Sequence, residues 1–339
     1  MDPSDALAPA VSLDSRVCTA LSSGMRIRVW KCIAVAAGIT ATIFGCVWGY
    51  KWRARQAIVR GNSMAVNSTL ASVNARPYSY RVPADMDPDK SHPLVIALHG
   101  LGGRGVGFEQ YFRIDRLVDE MGFLAAFPDG TEQGPPGRRQ RFWNATDTCC
   151  NFESSSVDDV AYLDDVISDM SARFHVDPKR VFFVGHSNGG YMSYRFACDR
   201  ASRVAAIVSS AGSMWNDASR CKPSEPVAVL EVHGTDDAIV PYDGGRLSGT
   251  NTPLKSVHAT VSDWTQFNRC APGPEIGDAP LDLVRDEQPS IGAETTIEKW
   301  SGCRGVELWT VRGGIHSPHF RQPDFARAIG RWMLAHPKP

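Results

Sequence analysis

The sequence predicts an α/β fold, a mostly parallel sheet with helices on both faces, and three observations carry that prediction. Residues 94–98, 123–127 and 181–184 are short, nearly continuous apolar runs, the pattern of strands buried on both faces. Amphipathic stretches alternate with them, most clearly Val157, Val160, Leu163, Ile167, Met170 and Phe174, which recur every three to four residues. Glycine-rich segments at 99–103 and 185–190 follow two of the strands, at the carboxyl edge where open parallel sheets bind ligands.

Taken in order, residues 1–31 show no periodicity and read as a leader. Residues 32–50 are uncharged and mostly apolar between Lys31 and Lys51, long enough nearly to span a bilayer core, so a signal segment or membrane anchor is expected there. Ile43-Phe44-Gly45-Cys46 has the form of a lipoprotein cleavage box, although Phe44 is bulky for one, and an uncleaved anchor is the alternative. Basic residues on both sides leave the orientation open. Residues 51–75 read as a tether, and 76–339 as the folded catalytic domain.

Within that domain, strands are expected at 78–82, 94–98 and 123–127, with Ile114, Leu117 and Met121 marking a helix face between the last two. A long Gly/Pro/Arg-rich loop covers 128–144, followed by the helix of Val157 to Phe174. Its acidic pairs, Asp158/Asp159 and Asp164/Asp165, read as a favourable first-turn charge and a solvated face, with no metal implied. Strand 181–184 then leads through Gly189 and Gly190 into a helix marked by Tyr191, Tyr194 and Cys198. Further strands are expected at 204–208, 227–232 and 306–311, and helices at 257–267 and 325–334. Only the short stretch 213–225 separates two core strands, so no large cap domain is expected.

Composition narrows the function without naming it. Hydrophobic residues make up 43%, enough for a sizeable core, and 36 basic against 37 acidic residues leave a formal charge of −1, which favours no nucleic-acid partner. Of nine cysteines, six lie in the body: Cys149, Cys150, Cys198, Cys221, Cys270 and Cys303. The absence of Cys-x-x-Cys spacing argues against zinc and suits up to three disulfides in an exported protein, with buried free thiols the alternative. Cys270 with Cys303 is one expected pair; the others stay open.

The chemistry centres on Gly185-His186-Ser187-Asn188-Gly189, a Gly-x-Ser-x-Gly between strand and helix, which makes Ser187 the candidate nucleophile. A serine hydroxyl needs a histidine to remove its proton, and that histidine needs a carboxylate to hold its tautomer. Two strand ends offer them: His233-Gly234-Thr235-Asp236-Asp237 supplies two aspartates, and Gly313-Gly314-Ile315-His316 supplies His316 as general base. His99, His186 and His233 also sit at strand ends, beside glycines, and read as loop supports, since no ligand spacing such as His-x-x-x-His occurs.

From about residue 76 to 318 these motifs, with Trp143-Asn144, Cys149-Cys150 and Val240-Pro241-Tyr242, resemble the α/β-hydrolase serine esterases grouped as polyhydroxybutyrate depolymerases and feruloyl esterases. The resemblance implies an α/β-hydrolase fold, Asp237 as the acid, and the backbone N–H groups of Leu101 and Asn188 as the oxyanion hole, with no cofactor. One departure is Ser317-Pro318, where that family often has Trp-Pro. The expected substrates are short-acyl, hydroxyacyl-oligomer or aryl esters such as feruloyl or acetyl groups on polysaccharide, over long-chain lipids and solid polyester, with Trp143 as an aromatic wall. A non-catalytic binding protein on the same fold and a serine peptidase-like hydrolase are the competing readings.

Overall fold

The computed structural model describes residues 63–339 apart from 66, 278 and 286–291. The expected leader, the apolar segment 32–50 with Cys46, and the first part of the tether lie outside the described residues. Among the described residues no helix is long and apolar enough to cross a membrane.

One ten-stranded sheet organises the chain. Its strands are β1 (Ser63–Met64), β2 (Ser79–Arg81), β3 (His92–Leu98), β4 (Leu124–Phe127), β5 (Val176–His186), β6 (Ala206–Ser210), β7 (Ala228–Gly234), β8 (Glu275–Ile276), β9 (Thr295–Trp300) and β10 (Val306–Val311). They lie in the order β1-β2-β4-β3-β5-β6-β7-β10-β9-β8. From β4 to β10 neighbouring strands run parallel, and antiparallel pairs finish both edges.

The helices are α1 (Ala71–Ala75), α2 (Gly105–Phe112), α3 (Ile114–Met121), α4 (Asp159–Arg173), α5 (Asn188–Asp199), α6 (Val257–Phe267) and α7 (Asp324–Ala335). Side chains alternate along a strand, so each central strand feeds two cores. Leu94, Ile96, Phe183 and Ile207 pack with Leu163, Ile167 and Phe196 on the α4/α5 face. Val95, Phe182, Val184 and Leu230 pack with Leu117, Phe325 and Ile329 on the α3/α7 face. Burial on both faces is why these strands read as unbroken apolar runs.

Residues 63–65 and 67–75, expected as part of the tether, pack against the folded domain. β1 pairs with β2, Ala65 and Val73 are fully buried, and Ser72 Oγ donates to Asp165 Oδ2 of α4 at 2.5 Å. A two-residue strand and a five-residue helix are too short to show a period. The acidic residues of α4 are more engaged than expected: Asp158 caps the helix by accepting from Ala161 N, while Asp159 is buried against Arg76 at 2.7 Å.

Three disulfides join the six body cysteines: Cys149–Cys150, Cys198–Cys221 and the expected Cys270–Cys303. The latter two close segments with sequence separations of 23 and 33, and loops of this size give about 3 to 4 kcal/mol each by restricting the unfolded chain.

Candidate active site

Ser187 sits at the junction of β5 and α5, with φ 54° and ψ −123°, a backbone conformation that side chains rarely adopt. Its neighbours make the turn possible. A Cβ on Gly185 would stand 2.1 Å from Gly189 O, and one on Gly189 would stand 2.1 Å from Leu98 O, so both flanking positions of the motif require glycine. Ser187 N donates to Ser210 O at 2.8 Å, tying the strained residue to β6.

His316 and Asp237 arrive from the ends of β10 and β7, which are adjacent parallel strands. Gly313 N donates to Thr235 Oγ1 at 2.8 Å and Asp236 N to Gly314 O at 2.9 Å, so the two loops are laced together. The result is a continuous chain: Ser187 Oγ lies 2.9 Å from His316 Nε2, and His316 Nδ1 donates to Asp237 Oδ2 at 2.7 Å. Of the two neighbouring aspartates, Asp237 is the buried one facing His316; Asp236 is exposed and accepts from Thr235 Oγ1.

Asp237 is gripped from several sides. Its Oδ1 accepts from Ile239 N and Val240 N, each at 2.8 Å. Behind it, His233 Nε2 lies 3.3 Å from Oδ2 and 2.9 Å from Val240 O, while His233 Nδ1 lies 2.9 Å from Glu231 Oε1. Acceptors thus face both ring nitrogens, an arrangement that suits the imidazolium. Burial opposes that charge, but hydrogen bonds to Asp237 and Glu231 outweigh it and push His233 up to about 9. Burial would likewise raise Asp237, yet hydrogen bonds from His233 and His316 hold its carboxyl well below the usual carboxylate range. Burial raises Glu231, partly offset by His233 and by the Tyr194 hydroxyl donating to Oε2 at 2.9 Å.

His233 therefore does more than support a loop. Glu231 was the available signal: a carboxylate inside an apolar strand, two residues from His233 and so on the same face. His99 and His186 do act as supports. His99 accepts from Gly130 N at 2.9 Å through Nε2, with Nδ1 on Gly100 O, and burial lowers its pKa. Burial and the nearby His316 push His186 down to about 3, and its Nε2 meets Ser317 Oγ at 3.1 Å. The departure at Ser317-Pro318 is thereby used locally, since Pro318 O also accepts from Tyr111 OH at 2.9 Å.

The backbone at Gly100 packs against Ser187, where a Cβ would lie 3.3 Å from the serine Cβ, which brings Leu101 to the rim beside the nucleophile. Asn188 opens α5, where N–H groups lack intrahelical acceptors. Among the described residues neither the Leu101 N–H nor the Asn188 N–H donates to a protein acceptor. The Asn188 side chain is engaged elsewhere, its Oδ1 accepting from Trp143 N at 2.7 Å and its Nδ2 donating to Trp143 O at 3.0 Å.

Trp143 corrects an expectation. It is fully buried, its Nε1 donating to His99 O at 3.0 Å, so it braces the 99–103 loop from below and presents no wall to a ligand. The cavity beside Ser187, about 500 Å³, is instead lined by Leu101, Phe108, Tyr111, Phe152, Ile239 and Leu247 around Ser187 and His316. Among the described residues no group of three or more His, Cys, Asp or Glu side chains is arranged to hold a metal ion.

Residues 85–261, just over half the chain, match the family model described as Phospholipase/Carboxylesterase. The chain belongs to that family of α/β-hydrolases. The matched segment carries Leu101, Ser187, Asn188 and Asp237, and His316 lies beyond it. Among this family member's relatives is Feruloyl esterase B of Piromyces equi, 29% identical over 246 residues; the match covers 70% of this chain but only 42% of that protein. Feruloyl esterase D of Neurospora crassa is 24% identical over 270 residues, covering 76% of this chain and 79% of the relative. The solved structure of an acetyl xylan esterase from Aspergillus awamori shares the fold with a TM-score of 0.56 at 13% identity, over 80% of this chain and 99% of that one.

Proposed function

We propose that this family member is a serine carboxylic ester hydrolase, and the observation that carries the reading is the unbroken Ser187–His316–Asp237 chain at 2.9 and 2.7 Å. His316 Nε2 takes the Ser187 proton as Oγ attacks the ester carbonyl. The oxyanion forms against the Leu101 and Asn188 N–H groups, each such donor contributing on the order of 3 to 4 kcal/mol to the transition state. Collapse expels the alcohol, protonated by His316, and leaves an acyl-Ser187 ester. His316 then deprotonates a water that attacks the acyl carbon, and Ser187 recovers its proton as it leaves. These residues make every proton transfer, so the scheme calls for no cofactor.

For substrate we propose short-acyl, hydroxyacyl-oligomer or aryl esters, among them feruloyl or acetyl esters. The apolar cavity with no large cap among the described residues supports an acyl group carried on something bulky, and the feruloyl esterase relatives support an aromatic acyl. The three disulfides support export, with segment 32–50 as signal or anchor. A panel of acetyl, butyryl and decanoyl aryl esters, a methyl hydroxycinnamate and a soluble hydroxybutyrate oligomer tests this, with Ser187→Ala as control. Turnover of the short or aromatic esters that vanishes in Ser187→Ala is expected; a marked preference for decanoyl esters, or turnover retained in Ser187→Ala, contradicts the reading.

A further inference from the structure

Behind the Ser187–His316–Asp237 chain lies an ion pair that the proton transfers do not use. The side chains of Glu231 and His233 have no exposed surface, and His233 Nδ1 lies 2.9 Å from Glu231 Oε1. A buried pair of this kind adds little net stability over apolar residues of the same volume, because taking two charges out of water offsets their attraction. Packing alone therefore gives no reason for a carboxylate and an imidazole among Val229, Leu230 and Val232 of β7. The pair sits directly behind the catalytic carboxylate, where buried charges set proton affinities.

The surroundings of Asp237 divide its two oxygens unequally. Oδ1 is taken by the backbone donors Ile239 N and Val240 N. Oδ2 faces both histidines, with His316 Nδ1 at 2.7 Å and His233 Nε2 at 3.3 Å, so the two rings share one oxygen. Val240 closes the arrangement, since its N–H holds Oδ1 while its carbonyl lies 2.9 Å from His233 Nε2. A neutral His233 would turn a lone pair toward Glu231 on one side or toward Val240 O and Asp237 on the other, and the ring is too buried for solvent to relieve it. The imidazolium satisfies both sides. Other titratable groups that face the cluster are kept neutral by burial: His186 of β5, pushed down to about 3, and Tyr191 and Tyr194 of α5 and Tyr242 after β7, whose hydroxyls are all pushed up.

We propose that the Glu231–His233 pair tunes the catalytic acid: His233, as an imidazolium, draws on Asp237 Oδ2 from behind and so limits the hold that Asp237 has on His316. Neither proton of His233 moves in the reaction, which makes it a positioning residue. The consequence falls on His316, which stays neutral and able to accept the Ser187 proton at lower pH than it would with Asp237 to itself. This assignment rests on the ester-hydrolase reading of Ser187 and deepens it by naming what governs the pH range of that site.

The test is the pH dependence of kcat/KM, whose acid limb reports the base of the free enzyme, in the wild-type full chain, His233→Gln and Glu231→Gln. His233→Gln removes the cation, so Asp237 holds the His316 proton more strongly and the limb should move up by roughly 0.5 to 1 pH unit. Glu231→Gln leaves His233 charged against Asp237 as its remaining carboxylate, and the limb should move down by roughly 0.5 unit. A residue that only filled space would lower turnover alike at every pH. Limbs that stay in place, move in the same direction or carry the reverse signs overturn the assignment. If His233→Gln fails to fold, Glu231→Gln, which keeps nearly the same shape, decides alone: a falling limb supports the assignment, and an unmoved or rising one overturns it. If the wild type cleaves no ester, the Ser187 reading is what fails. Titration of His316 by NMR of ¹⁵N-histidine-labelled protein, its signals assigned through His316→Ala, then reads the same shifts without turnover. In the same wild-type spectra His233 should carry a proton on both ring nitrogens at about pH 7, and a single proton overturns the assignment whatever the variants do.

Discussion

Asp237 lies between two histidines that have the same side chain and opposite circumstances. His316, on the cavity side, keeps 18% of its side chain exposed and turns Nε2 to the Ser187 hydroxyl, a group that gives up a proton. His233, behind the carboxylate, has no exposed side-chain surface and is surrounded by Glu231, Val240 O and Asp237, all acceptors. One ring is placed to exchange protons with a reacting group, the other to keep both of its own. The comparison teaches that a histidine's role follows from what faces each ring nitrogen, and strand-end position alone does not reveal it.

The largest effects should come from the exposed side. Ser187→Ala or His316→Ala should each lower kcat by about 10⁴ to 10⁶, because triad members act as a unit. Steady-state kinetics on the ester that the wild type cleaves best checks this, with circular dichroism to confirm the fold. Asp237→Asn should cost about 10⁴ in kcat by disfavouring the required tautomer. Asp236→Asn, a change on the exposed neighbour, should cost less than about threefold. The reverse order would overturn the choice between the two aspartates.

The buried side should show itself in stability. Removing one partner of a buried ion pair costs about 3 to 5 kcal/mol, and His233→Gln leaves Glu231 and Asp237 facing a neutral amide. The sign with pH follows from the raised pKa. The folded value, about 9, exceeds the ordinary unfolded one of about 6.5, so the stabilisation from His233 is fully present below about pH 6.5 and is lost as pH rises through about 9. The gap in Tm between wild type and His233→Gln should therefore narrow across that window; a gap that widens toward pH 9 would mean that His233 is neutral in the folded protein.

A smaller change, remote from Asp237, calibrates these losses. Replacing both Cys270 and Cys303 by serine should lower stability by about 2 to 4 kcal/mol in urea unfolding, with ester turnover retained below the transition. Peptide mapping without reduction should recover all three bridges from natively expressed protein.

Much of this arrangement is legible in the sequence because burial and backbone geometry leave local marks. Strands β3, β5, β6 and β7 are covered on both faces, so nearly every residue in their centres is apolar. Ser187 announces itself because Gly185 and Gly189 have no room for a side chain. Other features depend on partners far away in the chain. Trp143 sits in a polar, Gly/Pro-rich stretch that suggests exposure, and its partners inside, Asn188 and the His99 carbonyl among them, lie far away in the chain. Helix α2, which supplies Phe108 and Tyr111 to the cavity, contains Gly105 and Gly107 and so carries a weak helical signal. Strand β9 lies toward the antiparallel edge, where partial exposure dilutes the apolar pattern. The charge on His233 depends on Glu231 and Asp237 converging on one ring, a spatial fact that spacing only hints at.

The central claim is that Ser187 is activated through His316 by Asp237. Its most direct test is the rate of labelling by a fluorophosphonate, with the adduct located by peptide mass spectrometry in the wild type, Asp237→Asn and Asp236→Asn. A single adduct on Ser187 is predicted, formed orders of magnitude more slowly in Asp237→Asn and at near wild-type rate in Asp236→Asn. An adduct on another residue, or undiminished labelling of Ser187 in Asp237→Asn, would contradict it.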